Sequence, residues 1–191
     1  MAATTGRPPD LCAHAVAELI CKLFPFKEVE EYSVNQLESY DDRNFYFCGD
    51  LEREFQTLGD GIKSDSREFV FKLSNPLLAS YEVTEGLNAI MQHLNQEGFN
   101  CPLPLKGRKG SEIENVSESQ LIETQRNNSV CGNERIFCAR VLTFIPGELM
   151  DRVNEHCLTP QLLYNIGNFV GRMDTALQVT LTCMYAFAIV G

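Results

Sequence analysis

The stretch that most restricts how this chain can fold is Phe69-Val70-Phe71-Lys72-Leu73. Side chains alternate along a strand, so Phe69, Phe71 and Leu73 share one face while Val70 and Lys72 share the other. Three large apolar groups on one face require a core to cover them, and the lysine is then fixed in place on the opposite face of a sheet. A helical pattern follows from Pro76 to Gln96, with Leu77, Leu78, Tyr81, Leu87, Ile90, Met91 and Leu94 as its apolar positions and Glu85 within it. A lysine so placed can meet phosphate oxygens as a point charge, and a carboxylate from a neighbouring helix can hold it there. A solvated strand lysine satisfies the same pattern.

The remaining segments predict an α+β chain. Residues 1–9, with Gly6, Pro8 and Pro9, read as a loose tail. Asp10 is placed to cap a helix through Leu11, Val16, Leu19, Ile20 and Leu23 that stops at Pro25. A first strand is expected over Glu30–Leu37, followed by the polar turn Ser39–Asn44 and a second strand from Phe45 to Cys48, which together make a hairpin. Gly59-Asp60-Gly61 signals a further reversal leading into the Phe69 strand. Gly98 is suited to end the Pro76–Gln96 helix. Beyond it, Pro102–Leu105 reads as a short strand, Lys106–Glu114 as a charged loop, and Arg135–Ile145 as a strong strand closed by Pro146-Gly147. Thr159-Pro160 has the chemistry of a cap and first helical position for a last helix. The sum is about five antiparallel strands with one helix inserted after the third.

Composition narrows the function. The net charge of −10 and pI near 4.8 lack the basic face a nucleic-acid binder needs. Any nucleotide must therefore be held by a few local cations and a metal ion. The 8 cysteines include no C-x-x-C, and His14, His93 and His156 make no metal-ligand spacing with each other, so free thiols of a cytoplasmic protein are expected, with no zinc site. The N-terminus has no basic segment followed by an apolar one. Asn115-Val116-Ser117 and Asn127-Asn128-Ser129 match a glycosylation acceptor pattern that is frequent by chance. Gly107-Arg108-Lys109-Gly110-Ser111 has phosphate-loop residue types in the wrong order and reads as a solvated loop. His93 reads as a helix-face residue and Asp174 as a surface residue. The run Val179–Gly191 is nearly all apolar but shorter than the roughly 20 residues a bilayer span needs, so a membrane anchor is not expected.

Several segments in order, Ser39-Tyr40-Asp41-Asp42-Arg43-Asn44-Phe45, Phe71-Lys72-Leu73-Ser74-Asn75, Ala139–Gly147 and Pro160–Gly167, resemble the aminoglycoside phosphotransferase family of small-molecule kinases. The likeness covers about residues 12–178. It implies a protein-kinase-like small lobe at residues 10–146 with a leading helix, a linker and the first helix of a larger lobe at 147–178, and a divergent tail at 179–191. By resemblance Lys72 is the lysine that meets nucleotide phosphates and Glu85 its ion-pair partner, with Glu82 the substitute one turn away. The Tyr40–Phe45 turn, with Asn44, takes the place of the phosphate-covering loop but lacks its glycines; Asp41 and Asp42 are read as turn formers. Thr143, Phe144 and Ile145 stand where the family presents backbone groups to the purine. The implied cofactor is GTP or ATP with Mg2+. The implied reaction is phosphorylation of a small amino acid, the side-chain hydroxyl of 5-hydroxylysine, in a longer form of the protein.

Phosphoryl transfer also needs an aspartate that orients the attacking hydroxyl, and ligands for magnesium. The family takes them from a His-Gly-Asp segment and a later aspartate; neither His-Gly-Asp nor Asp-Phe-Gly occurs here. The expectation is thus a truncated or alternatively spliced product with no catalytic residues and no metal ligands of its own, inactive alone. A noncatalytic interaction fragment is the alternative.

Overall fold

Five antiparallel strands form one sheet in the order β1-β2-β3-β5-β4, with β1 at Asn35–Leu37, β2 at Arg43–Cys48, β3 at Glu68–Ser74, β4 at Glu114–Ser117 and β5 at Ile136–Thr143. The alternation read from the sequence holds: Phe69, Phe71 and Leu73 are fully buried. They join Phe45, Phe47, Phe137, Ala139 and Val141 in a single core with Val16, Leu19 and Ile20 of helix α1 (Ala13–Leu23) and the following Phe24 and Phe26. The rings interlock edge to face, Phe26 lying 5.0 Å from Phe69 and 5.1 Å from Phe47 between centroids. Each such phenylalanine stabilises the lobe by about 1.5–3 kcal/mol through area removed from water.

This computed structural model describes residues 7–52, 67–123, 135–147 and 158–190. The reversal expected at Gly59–Gly61, most of the N-terminal tail and the Asn127–Ser129 tripeptide lie outside them. The chain divides into two units, Met1–Ala89 with Pro102–Phe144, and Ile90–Cys101 with Ile145–Gly191. In the first lies the whole sheet. In the second, helix α4 (Pro160–Val190) carries Phe169, whose ring meets Phe99 at 5.4 Å, and Arg172, whose guanidinium stands over the same Phe99 ring at 5.3 Å. His93 contacts the Ala176 carbonyl at 3.2 Å, and Asp174 is exposed. Among the described residues no helix is long and apolar enough to cross a membrane.

Some element boundaries differ from the sequence reading, each for a local reason. The cap position of α1 is Cys12, with no side-chain cap, because Asp10 is drawn off into an ion pair with Arg43. The expected Glu30–Leu37 strand is split: Glu31–Ser33 forms one 3-10 turn and only Asn35–Leu37 pairs with β2. Helix α2 begins at Tyr81, not Pro76. Asn75 folds the intervening residues into a turn, its side chain accepting the Leu77 N–H at 3.0 Å, and Ser80 then caps the helix, its hydroxyl 3.4 Å from the Val83 N–H. At the other end Gly98 has φ +83, which favours glycine, and the chain closes through Phe99 N–H to the Leu94 carbonyl.

Pro102–Leu105 is not a full strand; it contributes a single bridge, Pro104 to Leu142. The fifth strand is β4 instead, followed by the short helix α3 (Glu118–Glu123). The Gly107–Ser111 loop is anchored by Arg108. Its backbone N–H reaches the Leu23 carbonyl at 2.8 Å, and its guanidinium donates to the Cys21 carbonyl and to Glu52. The loop thus caps the C-terminus of α1. Cys12, Cys21, Cys48, Cys101 and Cys138 are free thiols.

Candidate functional site

Lys72 lies in the middle strand, where register places Asn44 of β2 on one side and Arg140 of β5 on the other. All three have the parity opposite to the phenylalanine core, so they form one row across the other face of the sheet. The Lys72 side chain keeps 20% of its surface exposed and ion-pairs with Asp42. Asp42 Oδ1 also accepts the Asn75 N–H at 2.9 Å. The two turn aspartates therefore differ: Asp41 is exposed, whereas Asp42 folds back onto the lysine.

Arg140 is 5% exposed and donates Nη1 to Asn88 Oδ1 of α2 at 2.7 Å. Among the described residues its Nε and the Oδ1 of Asn44 are buried with no partner. Burial pushes the Arg140 guanidinium below its ordinary pKa, against the opposing pull of the Asp42 charge. A desolvated cation thus sits beside a partly exposed one.

Glu85 is exposed on α2 and makes no ion pair with any described residue. With Tyr81, Lys106 and Glu112 it lines a hollow of about 230 Å³. Glu82 accepts the Ser80 hydroxyl at 2.7 Å, and that bond lowers its pKa. The structure therefore brings Lys72 together with Asn44, Asp42 and Arg140, and joins it to neither α2 carboxylate. The tie between α2 and the sheet runs instead through Arg140 and Asn88.

At the end of β5 the N–H of Thr143 is committed to the Leu103 carbonyl at 2.9 Å and that of Phe144 to the Glu68 carbonyl at 3.0 Å. The Thr143 hydroxyl accepts the Leu103 N–H at 2.9 Å. The Phe144 ring stands edge-on to Tyr46 at 4.9 Å. Ile145 is half-buried, and its N–H has no partner among the described residues. No cluster of three or more histidine, cysteine, aspartate or glutamate side chains able to hold a metal occurs among the described residues.

The sequence pattern of the phosphotransferase enzyme family matches residues 54–182, more than half of the chain. The chain belongs to that family. Among similar phosphotransferases are hydroxylysine kinase of Xenopus laevis, 26% identical over 186 residues and 93% of this chain, and that of Bos taurus, 30% identical over 146 residues and 76% of this chain. The chain spans about a third to two fifths of the length of these relatives, 41% and 34% respectively. Amicoumacin kinase hAmiN, in complex with AMP-PNP, Ca2+ and Ami, shares the fold with a TM-score of 0.58 at 17% identity, over 84% of this chain and 38% of its own. The α+β sheet with its inserted helix is thus a kinase-like phosphotransferase lobe.

Sequence reasoning singles out Lys72 and Asn44 but passes over Arg140, Asn88 and the turning-in of Asp42. Two signals were available. Arg140 is the one charge within the otherwise apolar run Phe137–Leu142, and Asp42 has the same strand parity as Asn44, hence the face that Lys72 occupies.

Proposed function

We infer that this lobe binds a purine nucleoside triphosphate, GTP or ATP, through Lys72, within a phosphotransferase that acts on the side-chain hydroxyl of a small amino acid such as 5-hydroxylysine. The observation that carries this reading is the placement of Lys72, a partly exposed cation on the face of a kinase-like sheet opposite the phenylalanine core, paired among the described residues with a carboxylate from a turn. A compact ammonium so positioned supplies charge to phosphate oxygens without moving the strands around it. Asn44 borders it, and Phe144 and Ile145 follow β5 where a base would be met by backbone. The Thr143 and Phe144 donors are engaged inside the protein. The Lys72–Glu85 pair that the resemblance implies is not formed here; Asp42 holds Lys72 instead.

The described residues suit the phosphates better than the metal: two cations stand at the site, and the nearest carboxylate, Asp42, is already paired. Magnesium fits this reading as a companion of the nucleotide, neutralising charge between its phosphates. The chain contains no His-Gly-Asp segment and spans 41% and 34% of the hydroxylysine kinases it resembles, so turnover on hydroxylysine is proposed for a whole phosphotransferase of that kind. The thermal midpoint of the purified chain, with and without magnesium GTP or magnesium ATP and beside Lys72→Ala, tests the reading. It predicts a rise of a few degrees with saturating nucleotide that the substitution abolishes. The same rise in Lys72→Ala, or none in the native chain, would overturn it and favour a noncatalytic interaction role.

A further inference from the structure

The row Asn44, Lys72, Arg140 carries more positive charge than its surroundings offset. Lys72 and Arg140 are directly opposed in the β3–β5 register, so their side chains start about 5 Å apart. Among the described residues one carboxylate, Asp42, answers both, and it is committed to Lys72 and to the Asn75 N–H. Arg140 is left with a neutral amide, Asn88, whose own Nδ2 makes only a long 3.4 Å contact with Glu112. A buried guanidinium with an empty donor is unfavourable until an anion completes it.

We propose that Arg140 is the second cation of an anion site at Lys72, which Asp42 fills in the resting protein and which the phosphates of a nucleoside triphosphate take over. This rests on the reading of Lys72 given above and adds to it a second ligand and an internal competitor. Lys72 and Arg140 stand on central strands, whereas Asp42 belongs to the turn between β1 and β2, so the member free to move aside is the aspartate. Its carboxylate already mimics the incoming group: one oxygen lies on an ammonium and the other accepts a backbone N–H. The vacant Nε of Arg140 is the donor left for a phosphate oxygen.

The test is calorimetric titration of the full chain with magnesium GTP and magnesium ATP, below the unfolding midpoint, for the native protein, Arg140→Gln, Arg140→Lys, Asp42→Asn and Lys72→Ala. Loss of a charge-assisted contact predicts binding about tenfold weaker in Arg140→Gln, with most of it restored in Arg140→Lys. Asp42→Asn keeps the oxygen that accepts the Asn75 N–H but removes the competing charge, so it should bind more tightly than the native chain. This variant also decides the matter if Arg140→Gln does not fold. Native affinity in Arg140→Gln, equal weakening in Arg140→Lys, or no tightening in Asp42→Asn would each overturn the proposal. Nucleotide binding absent from the native chain or indifferent to Lys72→Ala would instead sink the Lys72 reading on which it rests.

Discussion

Phe71 and Lys72 are neighbours that point to opposite faces, so their substitutions should separate folding from binding. Phe71 is fully buried between Phe24, at 6.3 Å, and Phe45, at 6.5 Å. Phe71→Ala should lower the unfolding free energy by about 3–5 kcal/mol, as lost burial and an unfilled cavity add. Lys72→Ala should cost roughly 1 kcal/mol or less, since its ion pair is partly solvated; urea titration of both variants checks the contrast. A second residue-scale prediction concerns acid. Arg135 donates to Glu118 from both Nε, at 2.9 Å, and Nη2, and these bonds hold the Glu118 pKa below its ordinary value. A depressed folded-state pKa contributes stability above the unfolded value, near 4.3, that is lost as pH falls through the folded one. Glu118→Gln should therefore be less stable than the native chain at pH 7, by about 1 kcal/mol or less given partial exposure, with the gap closing below about pH 4. A gap independent of pH in denaturant midpoints would contradict the assignment.

At the scale of elements, α2 shows how capping overrides a periodic pattern. Leu77 and Leu78 extend the apolar spacing of the helix toward Pro76, yet they are 70% and 62% exposed because Asn75 and Ser80 satisfy the backbone differently. Ser80→Ala should cost about 1 kcal/mol, and Gly98→Ala about 1 kcal/mol or more because φ +83 strains a Cβ-bearing residue; both are read from denaturant midpoints. The strong elements were legible in sequence because their side chains alternate or recur cleanly: β2, β3, β5 and α1, whereas β1 was legible only from the turn before β2, its three residues all being exposed. Strand β4 was not. Glu114-Asn115-Val116-Ser117 has one apolar residue in four, and what fixes it is pairing with β5, in which Glu114 stands opposite Ala139. The same limit hid the polar row on the sheet. Each of its residues is visible in sequence, but that Asn44, Lys72 and Arg140 stand abreast is a property of register across three strands.

At the scale of the molecule, the chain is strongly acidic, with a net charge of −10, yet among the described residues one face of its sheet gathers Lys72 and Arg140 beside the Asp42 carboxylate. General electrostatic attraction cannot bring an anion to such a protein, so the local row must do it. Family membership covers residues 54–182, and the fold agrees with it, while the chain spans 41% of the length of the hydroxylysine kinase of Xenopus laevis that it resembles. The most direct test is a structure of the chain with a non-hydrolysable triphosphate and magnesium. The account predicts Lys72 Nζ on a phosphate oxygen within hydrogen-bond distance, with Asp42 turned away from it. An intact Lys72–Asp42 pair with the nucleotide bound elsewhere would contradict it.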